Sequence, residues 1–220
     1  MYYLRRRFDI SSRLATTAKT TTSALAFFRR GLHLPETPGI AAWGDTMTKE
    51  PIYVIFNTDM GQMGILGSVK GLLRTTLPQR STQEVRQLLG DRINHTTWSP
   101  HLFKDLIERL GIYLGGHKVA FPDELDLSQA TTFHRKVWEI TKLIPYGETR
   151  CYLWVAEQIG KPGAVRAVGQ ALARNPLPII IPCHRVVASN GKLGGYSGGL
   201  EMKKYLLYRE ASTNTDSQLV

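Results

Sequence analysis

Pro176-Leu177-Pro178-Ile179-Ile180-Ile181-Pro182-Cys183-His184-Arg185-Val186-Val187 is the stretch whose reading decides this chain. Three consecutive β-branched residues bracketed by prolines read as a strand buried on both sides, with Pro182 pushing Ile181 toward extended geometry. The strand ends in a cysteine followed by a histidine and an arginine. A free cysteine is most often a buried structural thiol. Nothing in a core, however, calls for an imidazole and a guanidinium beside it. Positive charge and an imidazole are what lower a thiol pKa and produce a thiolate nucleophile. The stretch therefore points to a reactive cysteine.

Working outward, the preceding residues form two helical patterns. The first carries Tyr152, Val155, Ala156 and Ile159, the second Val165, Val168 and Leu172, and Gly160-Lys161-Pro162-Gly163 joins them. Two short helices about a glycine-containing turn are a helix-turn-helix candidate, although ordinary helix packing pairs share the pattern. The second helix is rich in small residues (Ala164, Ala167, Gly169, Ala171, Ala173), with Arg166, Gln170 and Arg174 as its long polar groups. A major-groove reader presents several long hydrogen-bonding side chains to base edges. A small-residue face permits the close backbone approach that the narrower minor groove demands, or equally a tight helix–helix contact. With DNA as partner, Arg166 is the candidate to enter the duplex, and sequence specificity should be low because the minor groove carries a degenerate code.

On the other side of the stretch, residues 188–199 hold an Asn-Gly turn and four further glycines, a loop able to wrap a flat ligand with Tyr196 as a wall. A closing helix over residues 200–210 turns Met202, Leu206 and Leu207 inward, and residues 211–220 are polar and expected to be disordered. Before the helix pair, Phe133, Val137, Trp138 and Ile144 mark a basic amphipathic helix. Residues 52–56, 63–66 and 72–77 are short apolar runs separated by turn residues, which predicts an antiparallel meander. Ser81 with Glu84 is a capping-box signature opening a helix, a second helix starts at Ser99-Pro100 with Leu102, Leu106 and Leu110 on one face, and residues 121–127 read as another strand.

The 220 residues are long enough for a real core, and 42% hydrophobic with 21% charged residues is a globular composition. No apolar run approaches a membrane span. Two cysteines, in no CxxC pair, argue for a reducing compartment and against a disulfide framework or a zinc site, and no cofactor is expected. The net charge of +10 is unevenly spread: residues 1–46 carry +4, residues 47–132 none, and residues 133–210 carry +7. The excess on the segment holding Cys183 raises the prior for a nucleic-acid partner. Residues 1–46, with Arg5-Arg6-Arg7, much Ser/Thr and few acids, resemble a mitochondrial transit peptide; the reading favoured is an extension that is disordered or not translated, with Met47 as an alternative start.

With these residues assembled, residues 133–210 resemble the O6-alkylguanine-DNA alkyltransferase (methylated-DNA–protein-cysteine methyltransferase) family. The likeness runs through FHRKVW, IPYGET, AEQIGKP, RAVGQALARNPLPIIIPCHRVVASNGKLGGYSGGL and KKYLLYRE, and Pro-Cys-His-Arg with a downstream Gly-Tyr-Ser-Gly-Gly is a specific signal. The resemblance implies an α/β (α+β) fold: a small ribonuclease-H-like domain at residues 51–130, then a helical catalytic and DNA-binding domain with the helix-turn-helix at 131–210. It implies repair of double-stranded DNA by single-use transfer of an alkyl group from O6 of guanine, or more weakly O4 of thymine, to Cys183, by a cytoplasmic monomer; a nuclear or mitochondrial location follows if the extension is a targeting segment. On the matching positions, His184 would deprotonate Cys183, Glu210 would orient His184, and Asn175 would brace the turn between the second helix and the cysteine. Tyr152 would help rotate the nucleotide and donate to the departing guanine, Arg166 would fill the vacated stack, and Val186, Tyr196 and Ser197 would hold the base. Adjacent residues in extended chain point to opposite sides, so a water is expected between His184 and Cys183. Around Tyr152 the family has small or polar residues, where this chain has Cys151 and Leu153-Trp154. The alternatives are a lesion-binding relative without transfer activity, a regulator that senses alkylation, and a hydrolase using Cys183 and His184.

Overall fold

A computed structural model describes residues 51–216; the expectations for residues 1–50 and for the last four residues lie outside the described residues. Three strands form the expected meander: β1 (Ile52–Thr58), β2 (Gly61–Ser68) and β3 (Gly71–Thr75). β1 pairs with β2 from Ile52↔Gly67 to Thr58↔Gly61, and the β2–β3 register shifts at Leu66/Gly67. A two-residue strand that the sequence pattern did not reveal, β4 (Thr97–Trp98), lies parallel to β1 and completes the order β3-β2-β1-β4.

Strand alternation gives this sheet two apolar faces. Leu66 on one face packs with Val85 and Leu89 of helix α1 (Thr82–Leu89) and with Ile93. The capping box is present: Ser81 accepts from the Glu84 amide at 3.2 Å, and the Glu84 carboxylate accepts from the Arg80 amide at 3.1 Å. Gly64 lets α1 approach, since a Cβ there would stand 2.6 Å from Val85 Cγ1. Ile52, Val54, Met63 and Ile65 face the larger core, where Leu106 and Leu110 of α2 (Lys104–Leu114) meet the helical half of the chain.

That half contains α3 (Thr132–Lys142), the helix-turn-helix pair α4 (Tyr152–Gln158) and α5 (Val165–Ala173), and α6 (Leu200–Asp216). The Trp138 indole of α3 donates to the Ala171 carbonyl of α5 at 2.9 Å, fixing the angle at which α5 is presented. A second sheet of β5 (Arg150–Cys151) and β6 (Val186–Val187), parallel, ties the entrance of α4 to the residues just after Cys183. The mixed α/β architecture, with a four-stranded sheet followed by a helical remainder, is as expected. Among the described residues, no helix is long and apolar enough to cross a membrane.

Three expectations are corrected. Residues 179–181 are buried but form a turn, not a strand: a lone bridge joins Pro178 to Ile181, and Ile179 has φ of +75°. Pro178 and Pro182 have no N–H to give a ladder. Residues 121–127 also fall short of a strand: Leu125 forms an isolated bridge to Leu72 of β3, through hydrogen bonds between Leu72 and the backbones of Glu124 and Asp126 at 2.8 Å each. The closing helix continues past residue 210 to Asp216, because no Gly or Pro interrupts it from Leu200 onward and Ser212 bonds back to the Tyr208 carbonyl at 2.9 Å.

Candidate active site

Asn175, immediately beyond α5, organises the proline-rich turn. Its amide nitrogen donates to the Ile181 carbonyl at 2.8 Å and to Cys183 Sγ at 3.0 Å, while its oxygen accepts from the Leu177 amide at 2.9 Å. One side chain thereby supplies the bonds that the prolines withhold. The sheet half adds two more, from the Thr75 amide to the Pro176 carbonyl and from its hydroxyl to the Pro178 carbonyl. Residues held at positive φ are strained unless their type tolerates it, and the buried Ile179 is kept there by this surrounding frame. Cys183–Arg185 then coil into a single 3₁₀ turn. The extended geometry expected at Cys183 and His184 is therefore replaced by a helical turn, although the two side chains still make no hydrogen bond to each other.

Glu210 of α6, 1% exposed, is the charged centre of the site. It accepts from His184 Nε2 at 2.9 Å, from Arg185 through Nε and Nη2 at about 3 Å, from the Tyr113 hydroxyl, and from the Gly147 amide at 3.1 Å. Burial opposes ionisation, yet the hydrogen bonds from His184 and Arg185 outweigh it and bring the carboxyl down to about 2. His184 is fully buried; burial holds its pKa below the ordinary imidazole value against the pull of Glu210, and the cations Arg185 and Lys203 push the same way as burial. With Nε2 committed to Glu210, the proton sits there and Nδ1 keeps its lone pair; among the described residues Nδ1 has no hydrogen-bond partner. The imidazole is thus neutral, oriented and ready to accept a proton.

Cys183 is 5% exposed. Burial pushes its thiol pKa up, with the Asn175 bond and the Lys203 charge offsetting part of the rise. The Tyr196 hydroxyl is buried near it, among the described residues without a hydrogen bond of good geometry, and its pKa is raised by burial and by the cysteine. Tyr152, whose phenol is also raised by burial and then by Cys183, donates to the Gly195 carbonyl at 3.3 Å. A Cβ on Gly194, at φ +69°, would stand 2.8 Å from the Tyr152 hydroxyl, so only glycine lets the loop close over this ring. Val186 is buried with its carbonyl engaged, while Ser197 is exposed at the loop surface, outside the buried cluster.

The sequence reading missed Lys203 and Tyr113. Lys203 is fully buried, donates to the carbonyls of Val186 (2.6 Å) and Leu193, and lies about 6 Å from the ring centres of Tyr152 and Tyr196. Burial brings its pKa down to about 8. The signal was present: Lys203 lies between Met202 and Leu206, three residues before the latter, so a lysine sits on the inward face of the helix. Tyr113 similarly continues the Leu106 and Leu110 stripe of α2.

The outer face of the helix-turn-helix carries Arg166, Ala167 and Gln170 exposed, with Ala164 and Gly169 half-buried, while Val168, Ala171 and Leu172 point into the core. Cys151 takes the N-cap of α4, its sulfur accepting from the Trp154 amide at 3.4 Å where a hydroxyl would be usual. Leu153 faces out and Trp154 packs against the Arg150 guanidinium, so the apolar run flanking Tyr152 leaves its ring in the site. Among the described residues, no group of three or more His, Cys, Asp or Glu could hold a metal ion.

Fold and site together define an α/β protein with a buried cysteine, followed by a buried histidine, set behind a helix-turn-helix. The family model for the 6-O-methylguanine DNA methyltransferase DNA-binding domain matches residues 132–212. The chain is 50% identical over 119 residues to the methylated-DNA–protein-cysteine methyltransferase of Mycolicibacterium paratuberculosis, covering 53% of this chain and 72% of that protein. It is 38% identical over 163 residues to the Methanosarcina acetivorans protein of the same name, covering 73% and 98%. The solved structure of Mycobacterium tuberculosis OGT in complex with DNA is similar at TM-score 0.63 and 38% identity, over 73% of this chain and 93% of that one. This chain belongs to the methylated-DNA–protein-cysteine methyltransferase family.

Proposed function

We propose that this protein repairs DNA by moving an alkyl group from O6 of guanine to Cys183, once per molecule. The observation that carries the reading is the Asn175 side chain, which bonds the nucleophile Sγ at the end of the helix that presents Arg166 to solvent. Binding at α5 and chemistry at Cys183 are thereby joined by one residue. His184 Nδ1 takes the thiol proton through a water, and Glu210 holds the ring. Sulfur attacks the alkyl carbon, the S–C bond forms as the C–O6 bond breaks, and guanine departs with Tyr152 as hydrogen-bond donor to it; guanine takes up one proton at N1 through water, balanced by the thiol proton that His184 accepted and returns to water. The thioether is a poor leaving group, so the protein is consumed.

Arg166 enters from the minor groove and fills the stack vacated by the flipped nucleotide, while Ala164, Ala167, Gly169 and Gln170 border the backbone. Val186, Tyr196 and Ser197 hold the base, Ser197 from the loop surface. Residues 131–210 act as the catalytic and DNA-binding domain, residues 51–130 as its support, and the protein works as a monomer in a reducing compartment. The test is to incubate the protein with duplex DNA carrying O6-methylguanine and to locate a methyl group by mass spectrometry. The adduct is expected on Cys183, with Cys183→Ala giving none while DNA affinity stays nearly unchanged. Intact DNA binding with no adduct would favour a lesion-binding protein without transfer activity.

A further inference from the structure

Tyr113 reaches the catalytic pair from α2, in the sheet half of the molecule. It is 3% exposed, and its hydroxyl lies 3.0 Å from His184 Nε2 while donating to Glu210 Oε1. These partners are 71 and 97 residues away in the chain. The direction of each bond follows from what the groups can do. An ionised carboxylate only accepts, so the single phenolic proton goes to Glu210, and the tyrosine oxygen can then only accept from the imidazole. His184 Nε2 consequently faces two acceptors, Glu210 Oε1 and Tyr113 Oη, and both require the proton to be on Nε2. The ring stands edge-on to Tyr146, Phe121 and His184, with centroids 5.9–6.4 Å apart, which prevents the hydroxyl from swinging away.

Resting on the transfer reaction proposed above, we infer that Tyr113 is a positioning residue for alkyl transfer, fixing the tautomer and ring plane of His184 so that Nδ1 is the basic nitrogen. The sheet half is then part of the catalytic arrangement rather than support alone, because it supplies the second acceptor that clamps the base. Tyr113 stays a neutral donor throughout, since burial and then the Glu210 charge push its phenol pKa up. The other charged or titratable groups about the pair are Arg185 on the 3₁₀ turn, Tyr146 on the loop after α3, and Lys203 on α6.

Tyr113→Phe removes the hydroxyl and keeps the ring. The rate of Cys183 alkylation by free O6-benzylguanine should fall about tenfold, with DNA affinity unchanged. The pH profile should also move. With one donor fewer, Glu210 holds the imidazolium more strongly, so His184 protonates at higher pH and the acidic limb shifts upward. A purely structural tyrosine would be rescued by phenylalanine, so a wild-type rate and acidic limb would overturn the inference; equal losses of rate and DNA affinity would do the same. The unmutated protein offers an independent reading: nitrogen-15 spectra should show the His184 proton on Nε2, and a proton on Nδ1 would overturn the assignment. If the wild-type protein alkylates Cys183 with neither substrate, the transfer reaction itself fails, and the tautomer spectrum still decides the placement of Tyr113.

Discussion

Glu210 and Cys183 share one site, and the protein treats their charges in opposite ways. The carboxylate is surrounded by donors from four places: His184, Arg185, Tyr113 and the Gly147 amide. It stays ionised far below the ordinary carboxylate range. The sulfur accepts from Asn175, a neutral donor, and burial keeps it a thiol. Negative charge is stored on the group that does not react and withheld from the one that does. A standing thiolate would meet any passing electrophile, and a protein that acts once cannot recover from that. A thiol beside a neutral, oriented imidazole becomes a nucleophile only when the proton has somewhere to go.

The contrast breaks most severely at Glu210→Gln. An amide cannot neutralise Arg185, which is buried with its remaining nitrogen on the Ile144 carbonyl. Removing one partner of a buried pair costs about 3–5 kcal/mol, and urea denaturation should show a loss of that size. A loss below about 1 kcal/mol, the range of an exposed pair, would mean that the carboxylate is not the centre described.

A pH titration sharpens the same contrast from both sides. The folded pKa of Glu210 lies below its reference value of 4.5, so its stabilisation is present above pH 4.5 and lost as pH falls toward 2. The integrated loss is on the order of 3 kcal/mol. His184, buried neutral, adds an earlier loss beginning as pH drops through 6.5. Cys183 runs the other way: its folded pKa is raised above 9.0, so its contribution is present below pH 9.0 and lost above it. Iodoacetamide labelling of Cys183 without DNA should accordingly stay slow until the pH passes 9.0. Rapid labelling at neutral pH would erase the distinction between the two groups.

The smallest effect on the fold is expected at Arg166→Ala, on the exposed face of α5. Stability should change by no more than about 0.5 kcal/mol. Repair of duplex DNA should slow relative to reaction with free O6-benzylguanine by about tenfold. Equal losses on both substrates would remove Arg166 from the base-flipping step and leave the buried pair as the whole of the chemistry.

The helix-turn-helix, the capped α1 and the meander were legible because each rests on local periodicity or a cap within a few residues. The reading of residues 179–181 failed for a definable reason. β-Branched residues report burial and strand propensity alike, and here burial was real while the prolines denied the ladder. Glu210 was reached only through the family resemblance, since nothing local in a helix marks one carboxylate as the partner of a histidine 26 residues earlier. Lys203 was visible as a charge on an apolar stripe, and Tyr113 not even as that, because a tyrosine on a buried stripe is ordinary.

The sequence by itself determined the order of elements, the basic bias of the segment holding Cys183 and the chemical suspicion attached to Cys-His-Arg. Those properties depend on residues that are neighbours in the chain. The tertiary structure alone decided that the prolines make a turn around Asn175, that Arg185 and Tyr113 converge on Glu210, and that the thiol rests uncharged. Hydrogen-bond satisfaction and burial are properties of the assembled interior. They are settled by groups that meet only once the chain between them has folded, 97 residues of it for Tyr113 and Glu210 and 25 for Arg185 and Glu210.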